Sequence, residues 1–253
     1  MFRHHRSAIA LLEHRLGCFE TLSTAQREAL AGLPIRIVEL AARHDIVREL
    51  DPSVQSCLII EGMAHSSKMD FEGKRQIIAL HLPGDLPDLH SFYLSNIDST
   101  ISTMTACRIG IIRHEHFEEL AADPFFAKAF ARSVARDASV AREWILNLGQ
   151  RDCVVRMAHL LSEIRVRLGQ AGLSAGDHAE WQMSQVDLAD ALGMSTVHAN
   201  RCVRQLARDG MIEWGTGTIR IIEPVALAEI GRFDHSYLQL HLPVDHPVSR
   251  TNA

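Results

Sequence analysis

The sequence predicts an α+β fold in which a region of short strands precedes a region of helices. From Leu33 to about Ile112, short alternating or compact apolar runs are separated by turn residues, which is typical of a β-roll, barrel or sandwich. After Pro124, small and apolar residues recur at helical intervals. Further along, two closely linked helices precede a short hairpin, so that the strand-rich part lies N-terminal and the helical part C-terminal.

Composition and charge limit the classes of protein that fit this chain. Its 253 residues include 26 Lys and Arg against 31 Asp and Glu, a formal net charge of −5, which excludes a protein that coats nucleic acid through bulk positive charge. At 47% hydrophobic residues, wholesale disorder is excluded. No apolar run reaches the roughly 18 residues of a membrane span. The basic N-terminus lacks a small-residue cleavage site, so we expect neither a membrane segment nor a signal peptide.

Residues 20–32 are expected to form a helix that begins after Ser23 and ends at Gly32. The strand-like runs that follow are IRIVEL, SCLIIEG, RQIIALHL, STISTM and RIGIIR. The predicted division of the chain is a β-domain with an N-terminal helix (1–122), a long helix (123–149), a helical domain ending in a hairpin (150–231) and a flexible tail (232–253). Residues 169–180 are expected to form a loop inside the third part.

The long helix carries a narrow seam whose members are separated alternately by four and three residues. Two interpretations stay open, because the seam packs either on the β-domain of its own chain or in a two-fold coiled-coil dimer. Phe126, Phe130, Val140 and Trp144 flank the seam and are expected to anchor the helix, and residues 149–152 are the hinge candidate. The seam, and with it the expected dimer interface, consists of Ala127, Ala131, Val134, Ala138, Ala141, Ile145 and Leu148.

Residues 183–222 carry the most specific pattern, which reads helix, glycine turn, helix and hairpin. Ser184 with Asp187 resembles a capping box, and Gly193 allows a tight turn. This is the winged helix-turn-helix plan, in which the second helix lies in the DNA major groove. Between 195 and 208 that helix has three arginines and no acidic residue, although solvated arginines on an ordinary surface helix remain the alternative. The expected DNA-binding residues are Ser195, Thr196, Val197, His198, Asn200, Arg201, Arg204 and Arg208.

Each of these residue types has a suitable partner on DNA. Arg201 can bind guanine through two hydrogen bonds, Asn200 can pair with adenine, and Val197 can touch a thymine methyl group. The hydroxyl groups at the start of the helix can reach phosphate. Arg204 and Arg208 are expected to attract the DNA backbone.

The chain resembles the cyclic-AMP receptor protein/fumarate–nitrate reduction regulator (CRP/FNR) family of bacterial transcription factors. The resemblance covers about residues 15–230 and is carried by GMSTVHANRCVRQLARDGMI and, in support, by RQIIALHLPGDLPDL. It implies a cyclic-nucleotide-binding-like β-roll, a long dimerisation helix and a C-terminal winged helix-turn-helix. It also implies a cytoplasmic homodimer that binds an inverted repeat in double-stranded DNA and contacts RNA polymerase. The family's base-contacting positions fall on Thr196, Val197, Asn200 and Arg201, with Val197 where many members have Glu.

The expected sensor pocket departs from the family pattern. Asp88-Leu89 stands in the place of the Gly-Glu pair that holds ribose, and Ile97-Asp98 in the place of the Arg-Ser pair that neutralises phosphate. A carboxylate facing a phosphodiester is repulsive, so we predict a degenerate pocket that binds neither cAMP nor cGMP. The effector is unknown.

Other cofactors are disfavoured as well. An iron–sulfur cluster is bound by about four thiolates, whereas Cys18 is a single cysteine near the N-terminus. The five cysteines lie 39 to 50 residues apart, which fits a reducing cytoplasm. Cys202 could make DNA binding sensitive to oxidation. The histidine pairs at 4–5 and 114–116 lack the partners of a metal site, so no metal or haem is expected.

The leading hypothesis is therefore a homodimeric, sequence-specific transcription regulator. The alternative is a ligand-sensing or protein-interaction module whose helix-turn-helix does not bind DNA. An enzyme is not expected, because the chain has no nucleophile elbow, phosphate loop or zinc-protease motif.

Overall fold

The computed structural model describes residues 2–18, 20–172, 180–215 and 217–239. Two helices precede the strands. Helix α1 (Phe2–Gly17) was not predicted as a helix, although Ala8, Leu12 and Leu16, four residues apart, bury one of its faces. Helix α2 (Thr24–Ala31) begins after Ser23, whose hydroxyl accepts the Gln26 N–H in a complete capping box, and ends at Gly32 as predicted.

The β-domain consists of seven strands in two antiparallel sheets. The strands are β1 (Arg36–Leu40), β2 (Asp45–Val47), β3 (Gln55–Glu61), β4 (Ala64–Met69), β5 (Arg75–His81), β6 (Thr100–Thr103) and β7 (Cys107–Arg113). One sheet has the order β1-β7-β3 and the other β2-β6-β4-β5. The sequence did not predict β2, which is short, or β4, whose buried positions include His65, Ser66 and Ser67.

Gly62 makes the tight turn between β3 and β4 possible. Its φ is +88°, and an added Cβ would lie 2.4 Å from the carbonyl oxygen of Ala106. Only glycine fits such a conformation at such a close approach.

Two helices follow the strands. Helix α3 (His114–Ala121) is short, and helix α4 (Pro124–Gln150) is capped by Asp123, whose carboxylate accepts the Phe125 N–H at 2.8 Å. Phe126 and Phe130 are buried in a cluster with α1 and β3, and Trp144 is buried in a second cluster with the C-terminal helices. Helix α4 includes the first two residues of the predicted hinge 149–152 and ends at Gln150. The break between α4 and α5 therefore falls at Arg151 and Asp152.

The described residues of the C-terminal part form four α-helices and a three-stranded sheet. Helix α5 spans Cys153–Gln170, α6 Gln185–Leu192, α7 Thr196–Arg208 and α8 Pro224–Ile230, and the sheet has the order β8 (Glu180–Gln182), β10 (Thr218–Ile221), β9 (Ile212–Gly215). The predicted loop 169–180 is wrong at both ends, because 169–170 complete α5 and Glu180 begins β8; residues 173–179 lie outside the described residues.

The predicted flexible tail is also wrong in its first part. Tyr237 and Leu238 lie in a short 3-10 turn and are buried. The Tyr237 hydroxyl donates to Glu163 Oε2 on α5 at 2.8 Å, which fixes this segment to the helix. Residues 240–253 lie outside the described part of the chain.

Candidate nucleic-acid interface and sensor cavity

The two helices of the helix-turn-helix meet at a glycine, as the sequence predicted. Gly193 has a φ of +58°, and its N–H donates to the Ala189 carbonyl at the end of α6. Ser195 then caps α7, since its hydroxyl accepts the His198 N–H at 3.3 Å. The local sequence therefore sets both the end of α6 and the start of α7.

Helix α7 buries one face and exposes the other. Ala199, Cys202, Val203 and Leu206 are buried against the rest of the C-terminal part. Burial raises the pKa of the Cys202 thiol, so that it is held in the less reactive protonated form. That environment disfavours the oxidation sensitivity considered for Cys202.

The opposite face carries the residues that the sequence proposed for DNA. Seven of them are exposed and Asn200 is half-buried, with its amide 3.2 Å from Gln185 Oε1. Val197, Asn200, Arg201, Arg204 and Arg208 line an open groove between α7 and Trp214 of β9. Among the residues that the structure describes, the three arginines form no ion pair, so their guanidinium groups are available to an anionic partner.

Helix α6 is held against the β-domain by ion pairs of its two aspartates with arginines of that domain. Asp187, although buried, accepts from both terminal nitrogens of Arg43 at 2.7 Å and from Arg75 at 2.9 Å. Arg75 also bonds Asp190 at 2.7 Å, and the Gln76 amide donates to the Asp190 carbonyl. Burial opposes ionisation of Asp187, yet hydrogen bonds from Arg43 and Ser184 hold its pKa below the usual value.

This clamp, formed by Asp187 with Arg43 and Arg75, differs from the capping box that the sequence suggested. Ser184 accepts the Asp187 N–H at 3.1 Å as expected. The Asp187 carboxylate, however, accepts the Ser184 hydroxyl and the two arginines, and the reciprocal bond of a capping box is not among its contacts. Sequence reasoning missed Arg43 and Arg75 because they are more than 110 residues away from Asp187.

Some residues of the expected dimer seam are exposed in the single chain, and others are half-buried. Ala131, Ala138, Ala141 and Ile145 are exposed, and Ile145 retains 70% of its accessible surface. The other three members are half-buried: Ala127, Val134, which packs on the β-domain cluster, and Leu148, which approaches Gly193. The middle of α4 is thus free to meet a second chain.

The four residues of the expected degenerate sensor pocket differ in exposure. Asp88, Leu89 and Ile97 are buried, while the exposed Asp98 pairs with His90 at 2.9 Å. One Asp88 oxygen accepts the Cys57 N–H at 2.8 Å, and burial raises the pKa of this carboxyl to about 6. Of the four, only Asp98 lines the cavity of about 160 Å³ between the β-domain and α4.

Three arginines that the sequence did not single out line this cavity. Arg15 of α1 and Arg167 of α5 bind the two oxygens of Asp85 at 2.9 and 2.7 Å. Although burial opposes ionisation, the two guanidinium groups hold the pKa of Asp85 below its usual value. The third arginine, Arg136 of α4, is also buried. No group of three or more metal-ligating side chains occurs in the described ranges.

Comparisons with known proteins agree with this architecture. Residues 37–123 match the model of the cyclic nucleotide-binding domain, and residues 155–230 match the Crp-like helix-turn-helix domain. The chain is 27% identical over 190 residues to the nitrogen fixation regulation protein FixK of Bradyrhizobium diazoefficiens, covering 75% of this chain and 79% of FixK. It is 28% identical to the transcriptional activatory protein AadR of Rhodopseudomonas palustris, over 70% and 72% of the two chains.

A solved structure shares the fold. FixK2 from Bradyrhizobium japonicum superposes with a TM-score of 0.72 at 24% identity, over 78% of this chain and 98% of that chain. A β-roll joined through a long helix to a winged helix-turn-helix defines a class of DNA-binding transcription regulators, and such regulators are not enzymes. The chain belongs to the CRP/FNR family. Within the described residues, no helix is long and apolar enough to cross a membrane.

Proposed function

We propose that this regulator acts in the cytoplasm as a homodimer that binds an inverted repeat. The observation that carries the proposal is the exposed face of α7, where Arg201, Arg204 and Arg208 lie without ion-pair partners along one groove of the described surface. A symmetric dimer presents this face twice, about one DNA turn or roughly 34 Å apart. Two such helices give a locally basic surface to a chain whose net charge is −5.

Within each half-site, side chains at the start of α7 read bases. Arg201 donates to a guanine edge and Asn200 to an adenine edge, while Thr196 and Val197 contact neighbouring bases. Ser195, His198, Arg204 and Arg208 contact phosphates and position the helix. The clamp between Arg43 and Asp187 fixes α6 on the β-domain and thereby supports the orientation of α7.

The exposed middle of α4 supplies the dimer interface in this proposal. Analytical ultracentrifugation of the full chain tests it with Ala138→Glu, which places a charge in the seam, and with Ala135→Glu, which places the same charge at an exposed alanine outside the seam. The wild-type protein and the control are expected to sediment as dimers and Ala138→Glu as a monomer. An unpaired charge is costly at an apolar interface, whereas charged side chains are tolerated beside it. Dimers in all three samples would contradict the proposal that the seam of α4 forms the dimer interface.

We also propose that cAMP, an iron–sulfur cluster and haem do not control this protein. The cavity of about 160 Å³ is close in size to a void that holds benzene, and a purine nucleotide, which carries a ribose and a phosphate besides its two-ring base, is larger than benzene. Isothermal titration calorimetry with cAMP and cGMP tests this point, and micromolar affinity would overturn it. Contact of the DNA-bound dimer with RNA polymerase completes the proposed function, and co-elution of the two on operator DNA would test it.

A further inference from the structure

We propose that Gln185 of α6 sets the base preference of the recognition helix by holding the side-chain amide of Asn200 in the orientation that suits adenine. This role rests on the proposed function, because it concerns how α7 reads its half-site. Gln185 lies on the first helix of the helix-turn-helix, outside the face of α7 that carries the expected DNA-binding residues.

The contact between the two side chains joins the two helices of the motif. Asn200 Nδ2 donates to Gln185 Oε1 at 3.2 Å, across 15 residues of the chain. Both residues are half-buried, so that the bond is partly shielded from water. Within the described residues, neither side chain makes another hydrogen bond. The orientation of the Asn200 amide therefore depends on Gln185.

Gln185 is itself anchored by the start of α6. It is the first residue of the helix, directly after the cap Ser184, whose hydroxyl accepts the Asp187 N–H at 3.1 Å. Asp187 in turn is bound by Arg43 and Arg75 of the β-domain. Because the backbone that carries the acceptor is held in this way, the acceptor can position its partner on α7.

An unrestrained asparagine discriminates poorly between bases, since the two ends of its amide have nearly the same shape. Rotation about the last bond of the side chain exchanges the carbonyl oxygen, an acceptor, with the NH2 group, a double donor. In this structure one Nδ2 hydrogen is bonded to Gln185. The other hydrogen and the carbonyl oxygen remain for a partner in the groove, which Asn200 lines beside Val197 and Arg201.

One donor beside one acceptor is the pattern that matches adenine. The major-groove edge of adenine presents N7 as an acceptor and the N6 amino group as a donor, and an asparagine amide can bond both. Guanine presents N7 and O6, which are both acceptors. A free NH2 group can donate to both of them, whereas one that has given a hydrogen to Gln185 cannot. Gln185 thus favours adenine over guanine at the base that faces Asn200.

Fluorescence anisotropy with the full chain tests the proposal, starting from the inverted repeat that the wild-type protein selects from random double-stranded DNA. Asn200→Ala first identifies the position that Asn200 reads, as the base pair whose preference is lost. Affinities for adenine and for guanine at that position of one half-site are then compared between the wild-type protein and variants of Gln185. All other positions of the DNA are kept constant.

Three variants make the test specific. Gln185→Leu removes the acceptor and should lower the ratio of adenine affinity to guanine affinity at least about fivefold, the contribution of one hydrogen bond between neutral groups. Gln185→Glu can only accept, so it should keep this ratio even though its negative charge weakens binding to every sequence. Gln205→Leu changes a half-buried glutamine of α7 that does not line the groove, and should leave the ratio unchanged.

An unchanged ratio in Gln185→Leu would overturn the inference. So would an equal loss of preference at every position of the half-site, because Gln185 would then only hold the two helices together. Loss of the ratio in Gln185→Glu, or no change of base preference in Asn200→Ala, would also overturn it. In each of these cases the wild-type protein still binds its operator, whereas a failure of the proposed function would leave no selected sequence at all.

Discussion

Two groups of arginines in this protein contrast with each other. Arg15 is buried, Arg167 keeps only 10% of its side chain accessible, and the two share Asp85 at the junction of α1, α5 and the β-domain. Arg201, Arg204 and Arg208 are exposed on α7 and, among the described residues, have no ion-pair partner. The same side chain thus serves the architecture where its charge is matched within the chain, and serves recognition where its charge is left for a partner.

The largest expected effect comes from breaking the matched group. Asp85→Ala would leave Arg15 and Arg167 buried without their shared carboxylate, which we expect to cost about 3–5 kcal/mol of the free energy of unfolding. Urea denaturation followed by circular dichroism measures it. A loss below about 1 kcal/mol would show that the pair is as dispensable as a surface ion pair.

Removing a base-reading arginine should affect DNA binding and leave stability alone. Arg201→Ala is expected to weaken operator binding by about 1–3 kcal/mol per half-site and to relax one base position. Its unfolding free energy should stay within about 0.5 kcal/mol of the wild-type value, because the side chain is exposed. Gel shifts on operator and scrambled DNA provide the measurement, and unchanged discrimination would remove Arg201 from the reading face.

A phosphate-contacting arginine should have a smaller and less selective effect. Arg204→Ala is expected to weaken binding about equally on all sequences and to reduce the slope of log affinity against log salt by about 1 per half-site, or about 2 for the dimer. The same gel shifts at several salt concentrations measure this slope. Arg142→Ala, an exposed change on α4, is the matched control and should leave the slope unchanged.

The clamp on α6 pairs a buried carboxylate with partly exposed arginines, and its loss should have the smallest effect on stability. Because the pKa of Asp187 is lowered in the folded protein, its contribution is present above the ordinary carboxyl pKa of about 4 and is lost as the pH falls through the folded value. Arg43 is half-exposed, which limits the contribution to about 1 kcal/mol or less. The free energy of unfolding, measured from pH 6 to pH 3, should therefore fall more steeply in the wild-type protein than in Asp187→Asn. Parallel curves of free energy against pH would argue against the clamp.

The sequence predicted the elements whose signals are local. Ser23 and Gly32 fix α2, Gly193 fixes the turn before α7, and the exposed arginines of α7 follow directly from its helical period. Helix α1 was missed because the N-terminal segment was considered only as a signal peptide, even though the spacing of Ala8, Leu12 and Leu16 was available.

The parts that could not be predicted depend on contacts between distant residues. Asp187 was interpreted as a capping residue because its arginine partners are 112 and 144 positions away. Tyr237 was placed in a flexible tail because its partner Glu163 lies 74 residues earlier. Likewise, nothing local to Arg136 distinguishes it from a solvated arginine, and its burial became apparent only from the packing of α4.

The most direct test of the central claim is selection of bound sequences from random double-stranded DNA, using protein purified without added nucleotide. We expect the wild-type protein to recover, in the absence of cAMP, an inverted repeat with half-site centres about one helical turn apart. Recovery of no motif, or of a single site without two-fold symmetry, would contradict a dimer that reads DNA through the free arginines of two α7 helices.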